Sequence, residues 1–213
     1  MREQIKQIAE ELLVKHGYRG LNFRQIAEAL NTTRANLHYH FGSKEGLVEA
    51  VLDEYATRTM DSYRDVLTDP STTLRAKSRT IIEMARSRYK RYNPTSDEGE
   101  PWSLMTRLRS DSDALSDTMR NRLQAVTSEF ELLSRLAVKA AVQSGELRPD
   151  TPQDGVTVLI TTVLHYQGLI TRDVGRFTRL VELWESTLDA IYGAWGQAAA
   201  PTAAPKAKAA AKR

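Results

Sequence analysis

Apolar residues recur at helical spacing along most of this chain, and no segment alternates apolar and polar residues as a half-buried strand does. Near the start, Ile5, Ile8, Ala9, Leu12 and Leu13 occupy the i, i+3, i+4, i+7 and i+8 positions of one helical face. Later segments repeat this pattern. The periodicity therefore predicts an all-α fold.

Capping residues divide the amino-terminal part into four predicted helices. Gly17 is expected to end the first helix. Asn22 begins a short second helix, and Thr33 begins a third that runs to about residue 40. Ser43 begins a long fourth helix that runs to about residue 67. Two short helices joined by a tight turn, in which Asn31 takes a left-handed conformation, form the pattern of a helix-turn-helix unit.

Longer helices are predicted beyond this unit, over about 72–92, 102–109, 116–144, 152–171 and 176–195. We expect three regions: a helix-turn-helix domain over residues 1–52, a larger helical domain over 53–197, and a disordered Ala/Pro/Lys tail over 198–213.

Composition excludes several classes of protein. The 213 residues include no cysteine, which excludes disulfide scaffolds, thiolate metal sites and cysteine nucleophiles. The charged amino terminus is not a secretory signal, and no apolar run is long enough to cross a bilayer, so we expect a cytoplasmic protein without a membrane partner. Four of the 30 basic residues lie in the tail, which leaves 26 against 27 acidic residues. Affinity for nucleic acid must therefore come from a local patch.

The segment LNFRQIAEALNTTRANLHYHFGSKEGLVEAVL, residues 21–52, resembles the DNA-binding domain of the tetracycline-repressor (TetR) family of bacterial transcriptional regulators. The resemblance extends over about residues 2–52. The family commonly has glycine where Asn31 stands and tyrosine where His38 stands. The resemblance implies a recognition helix that begins after Thr33 and enters the major groove of double-stranded DNA.

Seven residues of this segment are candidate DNA contacts. Lys44, at a helix amino terminus, and more weakly Arg24 suit phosphate. Arg34 and Asn36 suit guanine and adenine edges, although Arg34 equally suits phosphate. The remaining three are Thr33, as cap, phosphate ligand or both, His38, as a DNA-facing residue, and Tyr39, as a backbone or sugar contact.

His38 and His40 do not form a metal site. Residues two apart on a helix diverge by about 200°, so the two imidazoles cannot hold one ion. His40 is expected to be a packing residue. The sequence also contains no glycine-rich phosphate loop, nucleophile elbow or zinc-protease motif, so we expect neither a cofactor nor an enzyme.

The carboxy-terminal helices are apolar on more than one face, which favours a homodimer. TetR-family proteins dimerise through their last two helices, and the corresponding residues here are Thr162, Leu183, Thr187, Ala190 and Ala194. A dimer presents two recognition helices to a palindromic operator.

The family usually holds a small-molecule effector in its rear domain. The candidate lining residues are Tyr89, Trp102, Met105, His165 and Tyr166. Arg107 and Arg109 would contribute if the ligand were acidic. The resemblance implies a repressor released by a small, largely apolar molecule. Two alternatives remain open: a DNA-organising dimer that uses its basic tail for nonspecific binding, and a helical enzyme with an accessory helix-turn-helix.

Overall fold

The computed structural model describes residues 1–95 and 99–197, without the side chain of Val174. The predicted tail lies outside the described residues. Nine α-helices occupy the described chain, and the all-α prediction is confirmed. They are α1 Arg2–Gly20, α2 Phe23–Ala29, α3 Arg34–Phe41, α4 Lys44–Thr68, α5 Leu74–Tyr92, α6 Leu104–Ser110, α7 Asp117–Gln143, α8 Gln153–Val174 and α9 Thr178–Trp195.

The predicted caps at the starts of α2, α3 and α4 are present. In each case the capping side chain accepts a hydrogen bond from the backbone N–H three residues further on, which satisfies one of the free donors of the first turn. The pairs are Asn22 with Gln25 at 3.1 Å, Thr33 with Asn36 at 3.2 Å, and Ser43 with Gly46 at 3.0 Å.

The break in α1 falls where the sequence places it, although helical turns resume to Gly20 beyond it. Gly17 adopts φ 74°, a left-handed conformation that favours glycine. A β-carbon at this position would lie 2.2 Å from Oδ2 of Asp111, at the carboxyl end of α6. The same carboxylate accepts a hydrogen bond from the Tyr18 N–H at 2.8 Å. Gly17 therefore allows α1 and α6 to approach closely.

The long helix α4 connects the amino-terminal helices to the rest of the chain. Its buried face begins with Leu47 and Val48, which join the core of the helix-turn-helix region, and continues to Tyr63 and Leu67 among α5 and α7. A single rigid element therefore contributes to both regions. Not one of the helices in the described ranges is long and apolar enough to span a membrane.

Helix ends differ from the predicted ranges by two or three residues where local capping decides them. Helix α5 begins at Leu74 because the side chain of Thr73 accepts a hydrogen bond from the Ala76 N–H. Helix α8 continues to Val174. It ends there because the next residue, Gly175, adopts a left-handed φ of 70°.

Candidate DNA-binding surface and effector cavity

The helix-turn-helix is held together by three buried apolar residues. Leu37 of α3 is fully buried in the same core as Ile26 and Ala27 of α2. Asn31, in the turn, has φ 48° and is the one non-glycine residue with positive φ in the described chain. Asparagine tolerates this conformation better than most residues, so the turn forms without glycine.

The outward face of α3 carries two prominent side chains. Tyr39 is 84% exposed, which is unusual for so large an aromatic group. Arg34, in the first turn, is also exposed and has no ion pair within the described part of the chain. Both side chains are therefore available to a partner on this face.

The side-chain amide of Asn36 is held by a hydrogen bond within the chain that the sequence does not indicate. Its Nδ2 donates to Oγ1 of Thr32 at 2.9 Å, across the turn, and the residue is partly buried. This bond orients the amide, and its Oδ1 has no hydrogen bond within the described chain. The second N–H of Nδ2 and the free Oδ1 remain for an adenine edge, so a two-armed contact does not require Asn36 to release Thr32.

His38 and His40 have separate structural roles. Nδ1 of His38 lies 2.8 Å from the carbonyl oxygen of Gly42, and its ring centroid is 4.8 Å from that of Phe23, so this exposed residue also packs at the end of α3. His40 stacks edge-on with its neighbours Tyr39 and Phe41. No group of three potential metal ligands occurs among the described residues.

Lys44 lies at the first position of α4 with its ammonium group 4.5 Å from the ring centroid of Tyr18. Partial burial lowers the pKa of Lys44, and the nearby Asp111 carboxylate opposes that effect. As the first residue of α4, Lys44 also lies beside the free N–H groups of a helix amino terminus, where an anion is favoured.

Arg24 is exposed but already paired. Its Nε lies 2.7 Å from Oε1 of Glu28, one turn further along α2. A contact from Arg24 to phosphate would compete with this pair.

Arg2 was not among the predicted residues. Its guanidinium group lies 4.4 Å from the ring centroid of Phe41 and donates a 2.5 Å hydrogen bond to the carbonyl oxygen of His40. Arg2 therefore fixes the end of α3 to the start of α1. No local sequence pattern indicates this contact, because it joins residues 38 positions apart.

The predicted effector residues lie in three different places relative to one small cavity. Trp102, Met105 and His165 line one small cavity of about 30 Å³ between α4, α6, α7 and α8. Tyr89 lies behind it, with its ring centroid 6.3 Å from that of Trp102. Tyr166 differs from the prediction, because it is 53% exposed and does not line the cavity. Adjacent helical residues diverge by about 100°, so His165 faces inward while Tyr166 faces outward.

The other polar residues of this cavity include Arg88, Arg109 and Gln167. Of these, the sequence had suggested only Arg109, and only for an acidic ligand. Burial, together with the Arg109 cation, lowers the pKa of His165 to about 4, so its imidazole is neutral near pH 7. Its Nε2 lies 2.8 Å from Oγ1 of Thr127.

The carboxy-terminal helices leave an apolar face uncovered in the single chain. On α8, Val158, Leu159, Tyr166 and Leu169 are between 37% and 58% exposed, and Thr162 lies among them. On α9, the predicted row has Ala190 and Ala194 exposed and Leu183 and Thr187 partly buried. Leu132 and Leu136 of α7 are also exposed. The sequence had not singled out the α7 residues or the exposed leucines and valine of α8, because exposure depends on which helices pack together.

Comparison with known proteins connects this arrangement to regulators of transcription. Residues 6–51 match the family model described as bacterial regulatory proteins, tetR family. An uncharacterized HTH-type transcriptional regulator of Bacillus subtilis, YvkB, is 36% identical over 30% of this chain and 39% of that protein. The transcriptional repressor AcnR of Corynebacterium glutamicum is 24% identical over 80% of each chain.

A solved structure resembles the whole fold. A cysteine mutant of the TetR family transcriptional regulator CifR, complexed with 26-base-pair operator DNA, is 28% identical. The alignment covers 90% of this chain and 96% of that one, with a TM-score of 0.69.

Proposed function

We propose that this chain, which belongs to the TetR family of bacterial transcriptional regulators, is a homodimeric repressor that binds a palindromic operator and releases it when a small molecule occupies the rear cavity. As a family member, the chain is a DNA-binding transcriptional regulator and not an enzyme. A regulator of bacterial genes acts in the cytoplasm, where the chromosome lies.

The observation that carries this proposal is the exposed face of α3. A capped helix, held on α2 by Leu37, presents Arg34 and the 84% exposed ring of Tyr39 on an otherwise well-packed domain. Large exposed aromatic and cationic side chains on a recognition helix suit the groove and backbone of DNA. Lys44 would add a phosphate contact at the amino terminus of α4. The operator complex of CifR supports the same use of this region.

Dimerisation is supported by the apolar face of α8 and α9. Leu159, Thr162, Tyr166 and Leu169 recur at intervals of three and four residues, and so do Leu183, Thr187, Ala190 and Ala194. Two such rows suit packing against a second copy of the chain that is related by a two-fold axis. The resulting pair of recognition helices would read half-sites separated by one or more turns of DNA, about 34–36 Å each.

Effector control is supported by the position of α6. One side of α6 provides Met105 and Arg109 to the cavity, and its carboxyl end provides Asp111 to Tyr18 of α1. Arg19 adds an ion pair with Asp113 at 2.5 Å. A ligand that moves α6 would therefore change the position of α1 and the neighbouring Lys44. Such a ligand acts by binding one of two conformations more tightly.

The test is to delete the gene in its own host, identify the chromosomal fragments that the tagged full-length protein binds, and measure the neighbouring transcripts. A repressor predicts a few strongly bound palindromic sites and higher transcript levels from adjacent genes after deletion. Lower transcript levels would indicate an activator. Binding spread evenly over the chromosome, with unchanged transcripts, would support the DNA-organising alternative.

A further inference from the structure

The small cavity adjoins a larger groove that opens to solvent. Tyr55, Thr59, Arg88 and Trp102 line both spaces. The groove has a volume of about 630 Å³ and lies between α1, α4 and α5. The inner cavity holds little more than one water, whereas the two spaces together accommodate a small organic molecule. A ligand would pass through the groove and reach the inner cavity beside Arg88.

Arg88 brings a positive charge to this junction without a carboxylate partner. Its Nη2 donates to the hydroxyl of Tyr63 at 2.9 Å, and its guanidinium carbon lies 5.3 Å from the centroid of the Tyr63 ring. Within the described ranges, no Asp or Glu lies at ion-pair distance from Arg88. A partly buried cation that is bonded only to neutral groups retains strong affinity for an anion.

Arg109 brings a second such charge from α6. Its Nη2 donates to the carbonyl oxygen of Leu123 at 3.2 Å and to Oγ1 of Thr127 at 3.1 Å. It too has no carboxylate partner in the part of the chain that the structure describes. Burial lowers the pKa of Arg109, which reflects the cost of holding this charge away from water. The adjacent His165 is neutral near pH 7 and adds no charge beside Arg109.

The acidic residues of the outer groove are already paired with other cations. Glu3 lies 2.8 Å from Nζ of Lys6, Glu54 also pairs with Lys6, and Glu10 lies 2.9 Å from Nη2 of Arg58. These pairs set three carboxylates against two cations, so they leave no excess positive charge at the mouth of the groove. The uncompensated positive charge is therefore at the inner end, at Arg88 and Arg109.

Gln167 supplies an independent observation that points to a ligand in this cavity. The residue is only 4% exposed and lines the cavity. Its Nε2 donates to the Tyr63 hydroxyl at 3.2 Å and to the Leu164 carbonyl oxygen at 3.1 Å, which fixes the orientation of the amide. Its Oε1 has no hydrogen-bond partner although it is buried. A buried acceptor without a donor is costly, and a ligand with a hydroxyl or N–H group would satisfy it.

We propose that the effector is a small organic anion with an apolar or aromatic body. Its anionic group pairs with the guanidinium groups of Arg88 and Arg109 in the small cavity, and its body packs in the adjoining groove among aromatic and apolar side chains, chiefly Tyr55, Met84, Tyr92 and Trp102. This inference rests on the effector control proposed above and names the class of molecule that exerts it. It replaces the largely apolar effector expected from the sequence.

The test compares acids with amides of the same shape, using calorimetric titration of the full-length protein without DNA. The probes are phenylacetate with phenylacetamide and hexanoate with hexanamide, and phenyl phosphate distinguishes a phosphate group from a carboxylate. We expect at least one anion to bind, and a matched amide to bind about tenfold or more weakly. Equal affinity within each pair, or no binding by any of the anions, would overturn the proposal.

Substitutions locate the charge that is recognised. We expect Arg88→Met and Arg109→Met each to weaken binding of the acid about tenfold and to leave the amide unaffected. Arg79→Met, at an exposed position of α5, is the matched control and should change neither. Arg88→Lys keeps the charge without the planar donor pair, so it should give an intermediate affinity even if Arg88→Met does not fold. Unchanged acid binding in both Met variants would contradict the assignment.

The outcome is separable from that of the proposed function. An acid that binds through Arg88 without changing DNA affinity would uphold the anion site and overturn its role as effector. Release of DNA by uncharged compounds alone would uphold effector control and overturn the assignment of an anion.

Discussion

At the residue scale, the side chains of the recognition helix region differ in how far they are committed to contacts within the chain. Arg34 and Tyr39 are exposed, whereas Arg24, Asn36 and His38 each bond to a neighbour. The positions of these residues on or next to the recognition helix could be predicted from the sequence, because the helix-turn-helix motif fixes them. It did not predict their side-chain partners, since these depend on rotamers and on close neighbours in space.

Lys44 tests the phosphate contacts. We expect Lys44→Ala to weaken binding to all DNA sequences alike and to reduce the slope of log affinity against log salt by about 1, because one fewer phosphate is neutralised. Fluorescence anisotropy over a series of salt concentrations measures this slope. Lys139→Ala, at an exposed position of α7, is the control. An unchanged slope would remove Lys44 from the phosphate contacts.

Asn36 tests direct reading of a base. We expect Asn36→Ala to relax the preference at one base position in each half-site and to cost about 1–3 kcal/mol for the preferred sequence. The same substitution removes the bond to Thr32, so thermal unfolding without DNA serves as the control for α3. If the variant selects the same sequence as the wild type, Asn36 does not read a base.

We expect the stability of the folded protein to depend on pH through His165 in the rear cavity. Its folded-state pKa of about 4 lies below its ordinary value of 6.5, so the unfolded chain binds more protons between these values. We therefore expect the contribution of neutral His165 to the free energy of unfolding to be fully present above about pH 6.5. This contribution should decrease as the pH falls towards 4, by about 1–2 kcal/mol at pH 5. The charged group that faces His165 is Arg109, and Thr127 and Phe130 are its other close neighbours.

The measurement is the free energy of unfolding by urea at pH 7 and pH 5. We expect the decrease to be smaller in His165→Gln, which keeps a polar group without the titration, and unchanged in the exposed control His16→Gln. Equal pH dependence in all three proteins would show that His165 is not held neutral by its surroundings.

At the element scale, local signals in the sequence determined most helix boundaries. The caps at Asn22, Thr33 and Ser43 were predicted and confirmed, because each depends only on residues three positions apart. The grouping of Trp102, Met105 and His165 in one cavity was also anticipated. The outward position of Tyr166 and the contribution of Arg88 were not, because helical spacing alone does not reveal how each helix is rotated against its neighbours.

The effector control proposed above depends on the contact between α1 and α6. We expect Gly17→Ala to destabilise the protein by about 1–2 kcal/mol, because alanine disfavours φ 74° and its β-carbon would displace the Asp111 carboxylate. Thermal unfolding should show a decrease in Tm of a few degrees. Gly193→Ala, in α9 with no atom within 4 Å of the added carbon, should be neutral or stabilising. A Tm for Gly17→Ala at or above that of the wild type would contradict this role of Gly17.

At the scale of the whole molecule, the proposed dimer depends on the uncovered apolar face of α8 and α9. We expect Leu159→Glu to produce monomers, because it would place a charge in an apolar interface near its symmetry mate. Sedimentation equilibrium measures the mass, and DNA affinity should fall with it because a single recognition helix contacts only one half-site. Thr80→Glu, at an exposed position of α5, is the control. A dimer that survives Leu159→Glu would place the interface elsewhere.

The central claim is that α3 reads a defined DNA sequence as one of a symmetric pair. The most direct measurement is selection of bound sequences from a random DNA pool by the full-length protein and, in parallel, by a variant without residues 198–213. We expect both proteins to enrich the same palindrome, with half-sites spaced by one or more helical turns. No enrichment, or binding that depends on the tail, would contradict the account and favour nonspecific DNA binding.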